Sequence, residues 1–174
     1  ETLTPLTTGS ERNRAPVWSV DGERIAFSSN RMGFPGVFER AADGTGDAQE
    51  IVSFESALGA RPVSWSPDGS TLLFDQFADG DFGILSYRIG AENRPEFLVQ
   101  TESAESRATI SPNGQWVAYQ SDLSRRSEVY VERYPELGGR RQISVNGGTL
   151  PRWSSDGAKL FYAGLDGRRI FSVS

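Results

Sequence analysis

The sequence predicts an all-β fold: a β-propeller of four repeats, each forming a four-stranded antiparallel blade. A six-residue pattern recurs along the 174 residues, with tryptophan in three of four copies and an Asp-Gly or Asn-Gly pair at its end. Its glycines stand at positions 22, 69, 114 and 157, a period of about 45 residues that is typical of propeller blades. A strongly apolar segment follows each pair, and this combination is the strongest short-range signal for a β-hairpin.

The first three strands of each blade follow in a fixed order. The first strand carries the tryptophan position and leads into the turn. The second strand is a nearly continuous apolar run, as expected where neighbouring blades cover both faces. These runs are residues 24–27, 71–74, 116–119 and 159–162. The third strand alternates inward and outward residues and is expected nearer the rim. It is predicted at residues 36–39, 83–86, 128–131 and 169–172.

A fourth, outer strand follows only the first three repeats. It is predicted at residues 50–52, 96–99 and 141–144. Residues 3–7 precede the first repeat and resemble such a strand, so we expect the N-terminal strand to complete the last blade, in cis or in trans. Residues 1–174 then form a single propeller domain or propeller fragment. Its repeats are predicted at about 9–53, 54–100, 101–145, and 146–174 together with 1–8.

Composition excludes several classes of function. The chain has no Cys and no His, which excludes disulfides, thiolate metal sites, a Ser-His-Asp triad and the usual zinc ligands. We therefore expect no catalytic residue, no metal site and no cofactor. The formal net charge of -5 argues against a nucleic-acid partner, because phosphate binding needs positive surface. No apolar stretch is long enough to cross a bilayer, so we expect no membrane insertion. The chain starts with Glu1, and we expect a processed, excised or engineered piece.

Residues that recur once per repeat are interpreted as structural. Short polar residues before the turn glycines are required by tight hairpins, which we favour over a ring of cation ligands. They are Asp21, Asp68, Asn113 and Asp156. The tryptophans are interpreted as packing between blades rather than stacking on a ligand. They are Trp18, Trp65 and Trp153. Three carboxylates in residues 75–81 lack the spacing of a calcium loop, so we interpret this segment as a solvated loop and leave calcium binding open.

Arginines near the innermost strands are the candidate binding residues. Exposed or rim-paired arginine is ordinary, and that structural role is the alternative interpretation. The binding hypothesis is a basic mouth on the loop face and central opening, because arginine recognises carboxylates through two parallel hydrogen bonds. A peptide or an acidic protein segment would then be the partner. The candidates are Arg14, Asn30, Arg31, Arg61, Arg107, Arg125, Arg126 and Arg152.

The repeats resemble those of the TolB-type, WD-repeat-like β-propeller family, marked by Pro-x-Trp-Ser-Pro-Asp-Gly, an apolar strand and Ser-Asn-Arg. The similarity is greatest over residues 15–31 and 61–74, while the third repeat has Ile110 and Asn113 in place of Trp and Asp. The segment from Arg125 to Trp153 is similar to propellers that follow the membrane span of some bacterial serine/threonine kinases. The resemblance implies a periplasmic or extracytoplasmic scaffold that binds a protein or peptide partner and is not an enzyme. The usual ring of this family has more than four blades.

Two alternatives to a binding scaffold stay open. Similar propellers cap the hydrolase domain of prolyl-peptidase-type enzymes, so the chain could be an accessory propeller fragment of a hydrolase. The strand count also suggests a self-assembling half-propeller, in which two copies exchange residues 3–7 and form an eight-bladed homodimer. A Gly-x-Ser-x-Gly motif elsewhere in the full-length sequence would favour the first alternative, and the mass of the native particle would decide the second.

Overall fold

The described residues form antiparallel sheets, one for each repeat, and the predicted all-β fold of four repeated sheets is confirmed. The computed structural model describes residues 5–54, 59–78, 81–91 and 94–174. Blade 1 consists of β1 (Asn13–Trp18), β2 (Arg24–Ser29), β3 (Gly36–Ala41) and β4 (Gln49–Ser53). Blade 2 consists of β5 (Gly59–Trp65), β6 (Thr71–Ala78), β7 (Asp81–Arg88) and β8 (Glu96–Val99).

The second half of the chain repeats this topology. Blade 3 consists of β9 (Glu105–Ile110), β10 (Trp116–Ser121), β11 (Glu128–Arg133) and β12 (Arg141–Gln142). Blade 4 consists of β13 (Thr149–Trp153), β14 (Leu160–Ala163) and β15 (Ile170–Val173). In every sheet the strands are hydrogen-bonded in chain order. The described residues contain no helix with the length and apolar character that a membrane crossing needs.

The predicted N-terminal strand lies partly outside the described residues. Residues 3 and 4 lie outside the described residues, and residues 5–7 are not in a strand. The backbone carbonyl of Leu6 accepts a hydrogen bond from the Arg40 guanidinium on β3, which places Leu6 beside blade 1. Completion of blade 4 by residues 3–7 therefore stays a prediction.

The turn between the first two strands of each blade is held by the same hydrogen bonds in all four repeats. In blade 1 the Ser19 hydroxyl donates to Asp21 at 2.5 Å and accepts from the backbone N–H of Arg24 at 2.9 Å. Gly22 follows with a φ of +74°, a backbone conformation that residues other than glycine rarely adopt. The equivalent pairs are Ser66 with Asp68, Ser111 with Asn113, and Ser154 with Asp156. The structural interpretation of these turn residues is thus confirmed.

Neighbouring blades share an apolar core, and the tryptophan position faces the preceding blade. Trp65 of blade 2 packs in one cluster with Ala26 and Val37 of blade 1. Ile110 occupies the equivalent position of blade 3 and packs in a cluster with Ile84 of blade 2. Burial of such side chains on both faces stabilises each middle blade.

The two ends of this series are not covered in the same way. Trp153 of blade 4 faces blade 3, and its indole N–H donates to the carbonyl of Thr109 at 3.2 Å. Trp18 of blade 1 is instead 59% exposed, and none of the apolar clusters of the described residues includes it. The expectation that all three tryptophans pack between blades is therefore wrong for Trp18.

Candidate binding site

Arginines from three blades line a cavity where the inner strands begin. The cavity has a volume of about 570 Å³, which lies in the range of small-ligand sites. Arg14 enters it from β1, Arg61 from β5 and Arg107 from β9, and Arg12 lies beside them. We call these four residues the arginine mouth. No carboxylate of the described residues lines the cavity, although acidic residues outnumber basic ones in the chain. The mouth is thus a locally positive surface on an acidic protein.

A second cavity of about 210 Å³ lies next to the mouth, between the inner strands. Arg61 and Arg107 line both cavities, and Arg152 of blade 4 adds a third guanidinium to the inner one. Asp75 of β6 is the acidic residue among its lining. The two cavities therefore share Arg61 and Arg107, and in the inner cavity arginines from blades 2, 3 and 4 surround a single carboxylate.

Asp75 is the buried charge of this region. The residue is 1% exposed, and its carboxylate accepts a hydrogen bond of 2.9 Å from the backbone N–H of Arg107. Burial raises the pKa of Asp75 to about 6, against the lowering effects of that hydrogen bond and of Arg61, Arg107 and Arg152. The carboxyl group titrates near neutral pH, so the net charge of the region depends on pH.

The arginines of the mouth remain available to a ligand. Within the described part of the chain, Arg14, Arg61 and Arg107 form no ion pair with a carboxylate. The guanidinium of Arg61 lies 4.3 Å from the centroid of the Phe77 ring, a contact that orients its planar group. The protein surroundings and the like charge of Arg107 lower the pKa of Arg152. A bound carboxylate would relieve this repulsion.

A repeated backbone irregularity shapes the inner strands at this site. Ala15, Arg107 and Leu150 occupy equivalent positions and have φ angles of +51°, +61° and +55°, where residues other than glycine are uncommon and strained. The equivalent residue of blade 2 is Pro62, whose ring prevents a positive φ, yet the β5–β6 register still shifts between Pro62 and Ser64. Bulges of this kind redirect side chains beside binding sites.

The structure brings part of the sequence-predicted set together. Its members in the two cavities come from all four blades and include the β2–β3 loop of blade 1. They are Arg14, Asn30, Arg61, Arg107 and Arg152. Asn30 also accepts a hydrogen bond of 2.8 Å from the backbone N–H of Arg12 through its side-chain oxygen, which ties the start of β1 to the loop after β2.

The remaining three predicted residues lie outside both cavities. The guanidinium of Arg31 lies 4.8 Å from the centroid of the Phe38 ring. Arg126 pairs with the fully buried carboxylate of Glu128 at 2.7 Å. Arg125 has a φ of +66° in the turn between β10 and β11. These contacts assign Arg31 and Arg126 to the packing of their own blades.

Sequence reasoning missed the role of Asp75, which we assigned to a solvated loop. The residue lies in strand β6, directly opposite Arg61 in the β5–β6 register, so that interpretation is wrong for Asp75. The repeats do carry a signal for it, because Asp75 is charged at a position that holds the uncharged Ser28 in blade 1 and Gln120 in blade 3. The described residues hold no cluster of three acidic side chains that could bind a metal ion, and residues 79–80 lie outside them.

Comparison with known proteins gives one family and several relatives. The TolB beta propeller domain family matches residues 1–146. A TolB homologue from Chlorobium luteolum is 30% identical over 149 residues, which cover 83% of this chain and 32% of the homologue. An uncharacterised peptidase of Bacillus subtilis, YuxL, is 24% identical over 168 residues, which cover 73% of this chain and 25% of the peptidase. The chain thus spans between a quarter and a third of these curated relatives.

A solved structure extends the likeness to the fold. The structure described as putative TolB from Agrobacterium tumefaciens superposes with a TM-score of 0.78 at 19% sequence identity. The match covers 95% of this chain and 66% of that chain. At this identity the likeness concerns the fold alone, and it agrees with the antiparallel sheets of the described residues, three of them four-stranded and one three-stranded.

Proposed function

The chain belongs to the TolB beta propeller domain family, and from that premise we propose that it is a non-catalytic scaffold whose arginine mouth binds an acidic segment of a protein or peptide. The observation that carries this proposal is the convergence of arginines from three blades, without a carboxylate among the described residues of the outer cavity. The lack of His and Cys throughout the chain supports binding over catalysis, since most acid–base and nucleophilic sites use one of them.

Carboxylates are the groups that this geometry suits. A guanidinium presents a planar fork of N–H donors that matches the two oxygens of a carboxylate. Arg61 and Arg107 line both cavities, so an acidic side chain that enters the mouth can reach them from either. The ring of Phe77 under Arg61 reduces the cost of ordering that arginine, because its orientation is already restricted.

The net charge of the protein sets the range over which the mouth acts. The chain as a whole is negative, at -5, so long-range attraction of an acidic partner is weak. Screening reduces interactions beyond about 10 Å in ordinary buffers, and the mouth therefore recognises its ligand at short range. We expect added salt to weaken binding, because the contacts proposed are between charges.

A peptide titration tests this function directly. A fluorescent peptide rich in glutamate is titrated with the wild-type chain and with the double variant Arg61→Gln, Arg107→Gln, and anisotropy is measured. Each lost guanidinium removes a charge-assisted hydrogen bond, so we expect affinity to fall about tenfold or more per arginine. A peptide with glutamine at every glutamate position serves as the ligand control.

The matched protein control is the double variant Arg133→Gln, Arg141→Gln. Both arginines are exposed on β11 and β12, outside the two cavities, and their replacement changes the net charge by the same amount. We expect this control to bind like the wild type. Equal affinity of the mouth variant and the control for the glutamate peptide would overturn the proposed function.

A propeller that accompanies a peptidase is the second candidate function. It is supported by the 24% identity to the Bacillus peptidase. In that case the mouth would face a catalytic domain and the chain itself would supply no catalytic residue. Reading the coding sequence on both sides of this segment tests the idea, and a Gly-x-Ser-x-Gly motif with downstream Asp and His would favour it.

Location and domain organisation complete the proposal. We propose that residues 1–174 act as one propeller domain or propeller fragment, with an extracytoplasmic location that rests on the resemblance to periplasmic TolB. Fractionation of cells that express the full-length protein, followed by immunodetection, tests the location. Recovery of the protein only with cytoplasmic markers would contradict it.

A further inference from the structure

A carboxylate of the protein itself faces the arginines of the inner cavity. Asp75 lies on β6 opposite Arg61 of β5, and it accepts a hydrogen bond of 2.9 Å from the backbone N–H of Arg107 on β9. Arg152 of β13 completes the charged lining of this cavity. Asp75 is 1% exposed, so a buried acidic group shares the region in which these arginines would meet the carboxylate of a ligand.

Within the described residues, the other elements around Asp75 bring only uncharged side chains to the inner cavity. The lining residues of β1 are Ala15, Pro16 and Val17. On β7, the register partner of Asp75 is Ile84. The charge of the described lining is therefore set by three arginines and by the protonation state of one carboxyl group.

Asp75 acts on the arginines through their shared surroundings rather than through a direct ion pair. In the described part of the chain, no ion pair joins it to Arg61, Arg107 or Arg152. Burial raises the pKa of Asp75 to about 6, so both protonation states are populated near neutral pH. An incoming carboxylate meets a like charge in one state and a neutral hydrogen-bond donor in the other.

We propose that Asp75 regulates the arginine mouth by taking up and releasing a proton, so that an acidic ligand binds tightly when Asp75 is protonated and weakly when it is ionised. This inference rests on the proposed function, since it assigns a control to the same arginines. Ionised Asp75 repels a ligand carboxylate and offsets part of the arginine charge. Protonated Asp75 leaves the arginines uncompensated and can donate its O–H to the ligand. Ligand and proton therefore favour each other's binding.

The affinity for an acidic ligand should accordingly fall as the pH rises. The bound carboxylate raises the pKa of Asp75 above its value of about 6 in the free protein, because a like charge nearby disfavours ionisation. Affinity is then greatest below about pH 6, falls as the pH rises through the free and the bound pKa, and is lowest above both. Glutamate side chains of the ligand stay largely ionised above about pH 5.5, so Asp75 is the group that responds.

Titrations of the chain with the fluorescent glutamate-rich peptide at about pH 5.5 and about pH 8 test the regulation. The wild type is expected to bind at least about fivefold more tightly at the lower pH. Asp75→Asn cannot ionise, so its affinity should be similar at both pH values and close to that of the wild type at the lower one. Asp166→Asn is the matched control, because Asp166 is exposed and lies outside both cavities. This control should keep the wild-type pH dependence.

Calorimetry adds a measurement that needs no variant. At about pH 6.5 the wild type should take up about half a proton per bound peptide, which makes the binding enthalpy differ between imidazole and MES buffers. Equal wild-type affinities at the two pH values, equal enthalpies in the two buffers, or a retained pH dependence in Asp75→Asn would each overturn the regulation without touching peptide binding. Binding that is absent at both pH values, or unchanged in the Arg61→Gln, Arg107→Gln variant, would overturn the proposed function itself and this regulation with it.

Discussion

The two ends of the blades are made from the same strands but differ in how strictly they repeat. At the turn end, a serine hydroxyl bonded to an Asp or Asn side chain recurs in every blade, as in Ser66 and Asp68. At the mouth end, one inner-strand position holds a different residue in most blades. Its occupants are Arg14, Arg61, Ser106 and Thr149. Positions that repeat maintain the fold, and positions that break the repeat are where a binding site can arise.

The electrostatics of the two ends differ in the same way. Hydrogen bonds from Ser66 and Ser70 lower the pKa of the exposed Asp68 to about 2, so the turn end keeps its charge at all ordinary pH values. Burial raises the pKa of Asp75 at the mouth end to about 6. At the mouth end, the charge of Asp75 thus changes near neutral pH.

The largest expected effect comes from removing this buried charge. Because the pKa of Asp75 is raised from 3.8 to about 6 in the folded state, its protonated form favours folding. Its stabilising contribution is full below about pH 4 and is lost as the pH rises through 6. Asparagine cannot ionise, so Asp75→Asn removes this loss. Between pH 4 and 7 the free energy of unfolding of the variant should therefore fall less than that of the wild type, by up to about 3 kcal/mol. Urea denaturation at several pH values measures it.

Asp166→Asn is the matched control for the pH experiment. Asp166 is exposed, and hydrogen bonds together with Arg169 lower its pKa. Its contribution to stability therefore has the opposite sign, being present at neutral pH and lost as the pH falls through the lowered value. If Asp75→Asn and Asp166→Asn show the same pH profile as the wild type, burial of Asp75 is not the source of the pH dependence.

A smaller effect is expected at the turn end. Ser66 is 4% exposed, donates to Asp68 at 2.5 Å and accepts from the backbone N–H of Thr71 at 2.9 Å. Ser66→Ala leaves that N–H without its side-chain partner, so we expect a loss of about 1 to 2 kcal/mol in the free energy of unfolding. Binding of the glutamate peptide should stay at the wild-type level. A binding defect in this variant would show that the two ends are not independent.

The smallest effect concerns backbone conformation alone. Gly69 has a φ of +70°, with nothing within 4 Å of the place where a Cβ would lie. Gly69→Ala therefore tests strain without a clash, and we expect a loss of about 1 kcal/mol. Gly138 has equal space and no positive φ, so Gly138→Ala is expected to be neutral or slightly stabilising. Thermal unfolding of both variants decides whether turn geometry or the loss of glycine itself matters.

Repetition explains how much of the fold could be predicted from the sequence. The turns at the Asp-Gly and Asn-Gly pairs could be predicted because the contacts that hold them are local. The serine, the Asp or Asn and the glycine lie within four residues of one another, as in 19–22. The second strands could be placed because each follows such a turn. The cover of Trp18 could not be predicted, because it depends on whether another sheet lies against blade 1 rather than on the repeat itself.

The candidate site was harder to predict because its residues are joined by the fold rather than by sequence. Arg61 and Arg107 were identified as inner-strand arginines, but Asp75 became visible as their neighbour only through the β5–β6 register. Arg126 was predicted as a binding residue on the same grounds, yet it pairs with the buried Glu128. Nothing within a single repeat distinguishes an arginine that faces the centre from one that neutralises a local carboxylate.

We propose that the mouth end binds an acidic ligand and that the turn end does not. Nuclear magnetic resonance of the ¹⁵N-labelled chain during titration with the glutamate peptide tests it directly, since it reports every backbone amide separately. We expect chemical-shift changes concentrated at Arg14, Arg61, Arg107 and Arg152, and unchanged signal positions for the turn glycines. The proposal would be contradicted by chemical-shift changes that cluster at the turn glycines Gly22, Gly69, Gly114 and Gly157 with no change at the mouth end.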